Sequence, residues 1–310
     1  MKAKILFIGG TPRGYELLKA LTEDGQNVAF AFILKEDGHE KNKASRDIMA
    51  LCGERSIRFK LARKISLEDI PAISKLKPDV VFVCGWRTII PAEVYTKVPL
   101  GCLAAHDSLL PKYRGFSPLN WAIINGEKVT GVTLFKISDG PVDGGDIFRQ
   151  KKVKIAQNCT AEDVYRGIIG ATIDLYFLFL EAIGSGNIKW KKQDEKKATY
   201  TCKRTPEDGK VDWTRSAKKV FDLIRALAPP YPCAWTVFSG EKLYIEEASF
   251  PARQFNYSGN IPGRIISITD KGILVLCGKG QVLLSGISDP SGRRIDLKRY
   301  FLSIKDTLGG

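Results

Sequence analysis

The chain has 310 residues, 44% of them hydrophobic and 26% charged, which is ordinary for a soluble globular protein and long enough for two domains. Seven scattered cysteines without a Cys-x-x-Cys pair argue against a disulfide framework or a zinc site and favour a cytoplasmic protein. The net charge of +14 favours an anionic partner such as nucleic acid, a nucleotide sugar or polyglutamylated folate, although solubility alone would also account for it. Residues 189–310 hold most of the surplus, with 22 basic against 13 acidic residues.

The first part of the chain alternates strand and helix patterns. Apolar runs predict strands at 3–9, 27–34, 80–84 and 101–105, and helical or amphipathic spacing is found over 12–24, 43–55 and 118–125. The uniformly apolar run at 80–84 is typical of a strand covered on both faces. The alternation predicts a Rossmann-like parallel sheet with helices on both faces, and ligands bind such sheets beyond the carboxyl ends of the strands.

The second part changes character after one long helix. Strands are predicted at 129–137 and 146–155, followed by a helix from an N-cap at Thr160 to about residue 183. Asp174 and Glu181 interrupt the apolar run in that helix, which predicts a buried helix and no membrane contact. We predict a catalytic domain over 1–185, a linker over 186–210, and an OB-like, β-rich domain over 211–310 that contains one helix and five short strands.

Histidine is scarce, which narrows the candidates for proton transfer near neutral pH. His39 lies in a polar stretch and is interpreted as a solvated loop residue. His106 follows an apolar run and begins a loop that contains proline and glycine, as a catalytic side chain often does. On the residues alone, His106 could equally be a hydrogen-bonded histidine at a strand end, and Asp143 a solvated turn residue.

Other motifs are weaker. The glycine-rich stretch 9–14 matches neither a dinucleotide fingerprint nor a P-loop and predicts a tight turn. The basic clusters at 151–154, 189–192 and 293–299 are typical of solvated faces, with RNA contact as the alternative.

An ordered series of motifs runs through most of the chain. It comprises 108–111 (Ser-Leu-Leu-Pro), 112–115, 118–121, 125–127, 131–133 and Asp143-x-Gly-Asp146, then 204–208, 212–213, 224–226 and 231–232. This series resembles the folate-dependent formyltransferases, which transfer a formyl group from 10-formyltetrahydrofolate to an amine. The resemblance implies an enzyme that needs no metal, and it leaves a homodimer open.

The resemblance also implies roles for individual residues. His106 would act as general acid and base, and Asp143 would support its imidazolium. The cofactor would be held by two segments and a loop. These are Trp86, Arg87, Thr88 and Ile89, then Ser108, Leu109, Leu110 and Pro111, and finally Asp139 and Gly140. The acceptor would contact Lys112, Tyr113, Arg114, Asn120 and Arg204.

The chain departs from the family at Ala104, where the family usually has an asparagine whose amide is thought to donate to the formyl oxygen. Loss of one such donor typically costs about a hundred- to a thousand-fold in rate. Three explanations are open: a backbone N–H or Asn120 substitutes, the chain is an engineered variant, or the protein binds folate with weak or no transfer.

Two kinds of acceptor fit the resemblance. Residues 112–115, 118–121 and 125–127 are closer to enzymes that formylate nucleotide-linked aminosugars, such as UDP-4-amino-4-deoxy-L-arabinose. The stretch after Leu34 lacks the basic, glycine-rich insertion of methionyl-tRNA formyltransferases, and Lys112 and Arg114 are sensible contacts for a pyrophosphate. We therefore predict the aminosugar, with initiator tRNA as the alternative that the net charge favours; a different amine, such as a hydroxylated amino acid, is a third.

Overall fold

The computed structural model describes residues 2–37 and 43–309, so His39 lies outside the described residues. The strands are β1 (Lys4–Gly9), β2 (Asn27–Leu34), β3 (Phe59–Ala62), β4 (Val80–Cys84), β5 (Cys102–His106), β6 (Arg114–Gly115), β7 (Val129–Lys136), β8 (Ile147–Lys154), β9 (Tyr200–Thr201), β10 (Ala234–Phe238), β11 (Glu241–Ser249), β12 (Ile265–Thr269), β13 (Gly272–Leu276) and β14 (Gln281–Ser288). The helices are α1 (Thr11–Glu23), α2 (Ala44–Glu54), α3 (Ile70–Leu76), α4 (Ala92–Tyr95), α5 (Pro118–Ile124), α6 (Ala161–Ser185), α7 (Ala217–Leu227) and α8 (Leu297–Tyr300).

The described chain forms two compact units. Unit 1 comprises residues up to 115 with 131–153 and 167–200, and unit 2 comprises 116–130, 154–166 and residues from 201 onward. The segment predicted as a linker, 186–210, therefore divides between them. Its first part is built into unit 1, where Lys191 and Ile147 exchange backbone hydrogen bonds and Trp190 packs on Phe148 and Phe179.

Unit 1 contains a seven-stranded sheet in the order β3-β2-β1-β4-β5-β7-β8. The first five strands are parallel, which confirms the Rossmann-like prediction, but β7 runs antiparallel to β5, so the sheet is mixed. Several short elements were not predicted, among them β3, α3 and α4. Strand β3 is mostly exposed, and its residues lack the apolar run that marks a buried strand.

The order of strands reverses between β1 and β4, where α1 begins. The first turn of α1 lies against the end of β4: Gly10 N–H donates to the Cys84 carbonyl at 3.1 Å, and a Cβ on Gly14 would lie 2.8 Å from the same oxygen. Glycine at position 14 therefore permits this close approach. A ligand is expected at this reversal, beyond the carboxyl ends of the strands.

Helix α6 is long and apolar enough to span a membrane by length and composition alone. Its part in unit 1 packs instead on the sheet. The ring of Tyr176 lies 4.6 Å from that of Phe82, and the Tyr176 hydroxyl donates to the Val83 carbonyl at 2.6 Å. These contacts are those of a core helix in a globular domain, as predicted.

Unit 2 contains a five-stranded antiparallel sheet in the order β10-β11-β14-β13-β12, which confirms the β-rich domain. Helix α7 packs its apolar face on this sheet through Val220, Phe221 and Ile224. Helix α5, which precedes α7 by almost a hundred residues, also packs on α7, where Asn120 Nδ2 donates to the Ala226 carbonyl at 2.7 Å.

Candidate active site

His106, at the end of β5, lies between a backbone carbonyl and a carboxylate. Its Nε2 lies 2.7 Å from the Tyr113 carbonyl oxygen, and its Nδ1 lies 3.5 Å from Asp143 Oδ2. A carbonyl oxygen only accepts, so Nε2 carries a proton and the neutral ring keeps its lone pair on Nδ1. Nδ1 is therefore the atom that can take up a proton, and Asp143 lies where it stabilises the resulting cation.

Burial favours the neutral imidazole. The His106 side chain is only 11% exposed, and this burial lowers the pKa of His106 below its ordinary value. The Asp143 carboxylate and the Tyr113 carbonyl oppose that effect, while the positive charge of Arg13 adds to it. A neutral imidazole near pH 7 is the form a general base requires.

Asp143 is fixed from both its side chain and its backbone. Gly115 N–H donates to Asp143 Oδ2 at 2.8 Å, and Gln193 Nε2 donates to the carbonyls of Asp143 and Gly145 at 2.7 and 2.8 Å. Gly145 is required in this loop, because a Cβ there would overlap the Lys136 carbonyl oxygen. The acidic loop is thus held in one conformation beside His106.

Arg114, predicted to contact the acceptor, is fully buried and already has partners. Its Nη1 and Nη2 donate to the two carboxylate oxygens of Glu195 at 2.8 and 2.7 Å, and Nη2 also donates to Gln193 Oε1 at 2.8 Å. The same Gln193 holds the backbone of Asp143. These contacts give Arg114 a positioning role, since its guanidinium orients the glutamine that fixes the acidic loop.

The Ser-Leu-Leu-Pro segment forms a closed turn after His106. Ser108 Oγ donates to the Lys112 carbonyl at 2.6 Å, and Thr133 Oγ1 accepts the Leu110 N–H at 3.0 Å while donating to the Ser108 carbonyl at 2.6 Å. Both hydroxyl groups therefore donate to carbonyl groups of the protein itself. These bonds fix the backbone of the turn, including that of Lys112, whose side chain is exposed.

A second ion pair lies behind the histidine. Arg13, in the first turn of α1, pairs with Asp107, and its Nη2 donates to the Ala105 carbonyl at 3.4 Å. Alternation along β5 directs Ala105 and Asp107 away from the sheet face that carries Ala104 and His106. Arg13 thus contacts the Ala105 carbonyl and the Asp107 carboxylate, which flank His106 in the chain, from the opposite face.

Ala104 shares an apolar cluster with Leu110, Phe135 and Ile147 and offers no side-chain donor. The segment after β4 and the loop at 139–140 were both predicted to hold folate, and both are largely exposed. Arg87 and Thr88 are exposed, Ile89 is 86% exposed, and Asp139 and Gly140 lie in another exposed loop, where Asp139 accepts the Tyr95 hydroxyl at 2.7 Å.

Several buried polar atoms at this end of the sheet lack a hydrogen-bond partner among the described residues, and they include Trp86 Nε1 and Thr11 Oγ1. Buried polar groups are rarely left without a partner, so unpaired ones mark a place where a ligand supplies it. An indole N–H and a hydroxyl without partners can bond polar groups of a ligand such as 10-formyltetrahydrofolate, so these residues are compatible with that cofactor.

The remaining predicted acceptor residues belong to unit 2. Asn120 bonds to α7 as described above, and Arg204 stacks on Trp121 with its Cζ 4.9 Å from the ring centre. Arg204 also donates to the Asp208 carbonyl at 2.6 Å.

Gln193 and Arg13 are among the residues that position the site without having been predicted. Gln193 lies 50 residues beyond Asp143, in a stretch interpreted as linker, and nothing local marks it. Arg13 could have been noticed from its sequence context, since it lies in an apolar turn bounded by glycines. A buried arginine usually pairs with a carboxylate, so this position indicates an ion pair.

Comparison with known proteins identifies the family of the chain. Residues 1–177 match the family model "Formyl transferase", and residues 203–305 match "Formyl transferase, C-terminal domain". A methionyl-tRNA formyltransferase of Acetivibrio thermocellus is 30% identical over 97% of both chains. The bifunctional polymyxin resistance protein ArnA of Wigglesworthia glossinidia brevipalpis is 36% identical over 78% of this chain and 39% of its own length.

A solved structure shares the fold. The N-formyltransferase of Helicobacter canadensis, in complex with folinic acid and dTDP-3-aminofucose, superposes with a TM-score of 0.72 at 18% identity, over 92% of this chain and 99% of that one. With two family models covering most of its length, this chain belongs to the formyl transferase family and is an enzyme of formyl transfer whose formyl donor is 10-formyltetrahydrofolate.

Proposed function

We propose that the enzyme formylates the primary amine of a nucleotide-linked aminosugar. The observation that carries the choice of acceptor is the connection between β2, which ends at Leu34, and α2, which begins at Ala44. This connection has three lysines and three acidic residues and hence no net positive charge. At its start, the Glu36 carboxylate accepts the Ser45 N–H at 2.9 Å, which ties it to α2. It is therefore not a basic arm suited to an RNA backbone.

His106 moves the protons. When bound, 10-formyltetrahydrofolate supplies the formyl group as an acyl donor. Nδ1 of His106 takes the proton that the acceptor amine releases, and Asp143 stabilises the imidazolium so formed. Nε2 keeps its hydrogen bond to the Tyr113 carbonyl throughout, so the ring does not have to turn before Nδ1 returns the proton to the leaving nitrogen.

Lys112 is our proposed contact for the pyrophosphate of the acceptor. It is exposed, and the Ser108 hydrogen bond to its carbonyl fixes its backbone beside the His106 turn. The buried Arg114 is left with the positioning role described above. An ammonium group binds phosphate as a point charge, so loss of Lys112 should affect acceptor binding more than chemistry.

Initiator tRNA is the second candidate acceptor. Methionyl-tRNA formyltransferases resemble this chain from end to end, whereas ArnA matches 78% of it. Residues 189–310 carry 22 basic and 13 acidic residues, and in unit 2 Lys242 lies 4.1 Å from the ring centre of Trp235 and 5.1 Å from that of Tyr244. Such a cationic, aromatic surface is of the kind that binds single-stranded RNA.

We also propose a cytoplasmic location. All seven cysteines are free, and four of them are buried where a disulfide partner could not reach them without rearrangement.

The test is a measurement of kcat/KM for formyl transfer with dTDP- and UDP-linked aminosugars and with methionyl-tRNA. We expect a sugar to be the better substrate. Lys112→Ala should raise KM for the sugar about tenfold with little change in kcat, as loss of one charged hydrogen bond predicts. Lys152→Ala, which removes another exposed lysine of unit 1, is the matched control. Turnover of tRNA alone would overturn the proposal.

A further inference from the structure

Acyl transfer places negative charge on the oxygen of the transferred group, and enzymes stabilise that charge with N–H donors fixed in advance. Around His106 the obvious side-chain donors are absent or occupied. Ala104 has none, and the hydroxyl groups of Ser108 and Thr133 donate to protein carbonyls. Apart from a backbone N–H, the candidate donors are therefore side chains of other elements at the same end of the sheet.

Trp86 lies two residues beyond β4, and β4 is the neighbour of β5 in the sheet. Val83 of β4 pairs with Ala104 of β5, so Trp86 lies three residues beyond the partner of Ala104. Gly85, with φ +72°, makes the turn that brings Trp86 back onto the sheet. The Trp86 indole then packs on the same apolar cluster as Ala104, which places both on the sheet face toward which the His106 side chain alternates.

The indole N–H of Trp86 is buried and makes no hydrogen bond with any residue that the structure describes. Three of the other four tryptophans differ. Trp213 Nε1 donates to Thr236 Oγ1 at 3.0 Å, Trp121 Nε1 to the Cys202 carbonyl at 3.0 Å, and Trp235 Nε1 to the Pro206 carbonyl at 2.9 Å. An indole nitrogen is a donor only, so what Trp86 needs is an acceptor.

We propose that Trp86 is a catalytic residue whose Nε1–H donates to the formyl oxygen during transfer. It would replace the side-chain donor that Ala104 lacks. The unpaired indole N–H, the apolar Ala104 and the general base His106 share one face at the carboxyl ends of two neighbouring strands. The role concerns the formyl group, so it does not depend on which amine is the acceptor.

A binding measurement tests this without turnover. Trp86→Phe keeps the aromatic packing but removes the N–H. We expect it to weaken binding of 10-formyl-5,8-dideazafolate about fivefold to tenfold, as loss of one hydrogen bond predicts, and to leave binding of the deformylated parent unchanged. Trp190→Phe, a change at another tryptophan of unit 1, should leave both affinities unchanged. In the wild-type protein, the Trp86 indole N–H resonance should move downfield on addition of the formylated ligand only.

Transfer rates give the second test. Trp86→Phe should lower kcat about tenfold to a hundredfold, and Ala104→Asn in the Trp86→Phe background should restore at least part of the loss by supplying a new donor. Equal affinity of Trp86→Phe and wild type for the formylated ligand would overturn the proposal. So would equal loss of affinity for both ligands, because that would assign the indole to the pterin or to packing.

Discussion

Nδ1 of His106 lies 3.5 Å from Oδ2 of Asp143, while Nε2 lies 2.7 Å from the Tyr113 carbonyl oxygen. At 3.5 Å the carboxylate makes no strong hydrogen bond to a neutral ring, but it forms an ion pair with a protonated one. The arrangement therefore favours the imidazolium only after a proton has arrived. This is the behaviour expected of a base that is neutral before reaction and cationic during it.

Replacement of His106 by glutamine should remove proton transfer without unfolding the protein. We expect kcat to fall about a hundred- to ten-thousand-fold, the usual contribution of a positioned general base. His39→Gln, which changes the only other histidine, should have normal kcat. Steady-state formyl transfer measures both variants, and normal turnover by His106→Gln would refute the assignment.

The activity of the wild-type enzyme should fall at acid pH through a pKa below about 6.5, because burial lowers the pKa of His106 and only the neutral ring accepts a proton. Asp143→Asn should move this acid limb to still lower pH, since the carboxylate raises the His106 pKa. NMR titration of the imidazole in a His39→Gln background reports the same pKa directly. An acid limb that moves to higher pH in Asp143→Asn contradicts the prediction.

Arg13 should have the opposite effect from Asp143. Its positive charge lowers the His106 pKa, so Arg13→Met is expected to raise that pKa and to move the acid limb toward neutral pH. Arg13→Lys keeps the charge and should shift the pKa less. If Arg13 only stabilises the fold, both variants will lower the melting temperature while the imidazole titrates as in the wild type.

Gln193 should act on catalysis without contact with substrate. Gln193→Leu removes the two hydrogen bonds that hold the backbone of the acidic loop, and we expect kcat to fall about ten- to a hundredfold through misplacement of Asp143. KM should change little. Lys192→Met, at an exposed neighbour, is the control. A Gln193→Leu enzyme with normal kcat would show that Asp143 is held well enough by Gly115.

Glu195 should matter for stability because it neutralises the fully buried Arg114. Glu195→Gln leaves that guanidinium with a neutral partner, so we expect a lower melting temperature and a partial loss of activity. Glu181→Gln, a change at an exposed glutamate of α6, should alter neither. Thermal unfolding followed by circular dichroism makes the comparison.

The architecture was predictable because its main elements are apolar runs with clear periodicity. Val80–Cys84 is buried at every residue, and its uniform sequence already indicated a strand covered on both faces. The antiparallel direction of β7 was not predictable, since β7 has the same kind of apolar sequence as a parallel strand. Its direction follows from chain connections that local patterns do not encode.

The active site was predictable in part. Motif order predicted His106 and Asp143 as a pair, and the structure places His106 Nδ1 3.5 Å from Asp143 Oδ2. The scarcity of histidine left few candidates for the proton-transferring residue. Arg114 illustrates the limit of such predictions. An arginine in a motif beside the His106 turn resembles a phosphate ligand, but its guanidinium is bonded to Glu195, which lies 81 residues later in the chain. A sequence alone does not reveal which distant carboxylate or amide reaches a buried guanidinium.

The proposed acceptor and the role of His106 are tested together by a competition in one tube. Labelled formyl group on 10-formyltetrahydrofolate is offered to equal concentrations of a dTDP- or UDP-linked aminosugar and methionyl-tRNA, with wild-type enzyme and with His106→Gln. We predict that the label appears on the sugar amine with the wild type and is lost with His106→Gln. Label found only on methionyl-tRNA, or a His106→Gln enzyme as fast as the wild type, would contradict the account.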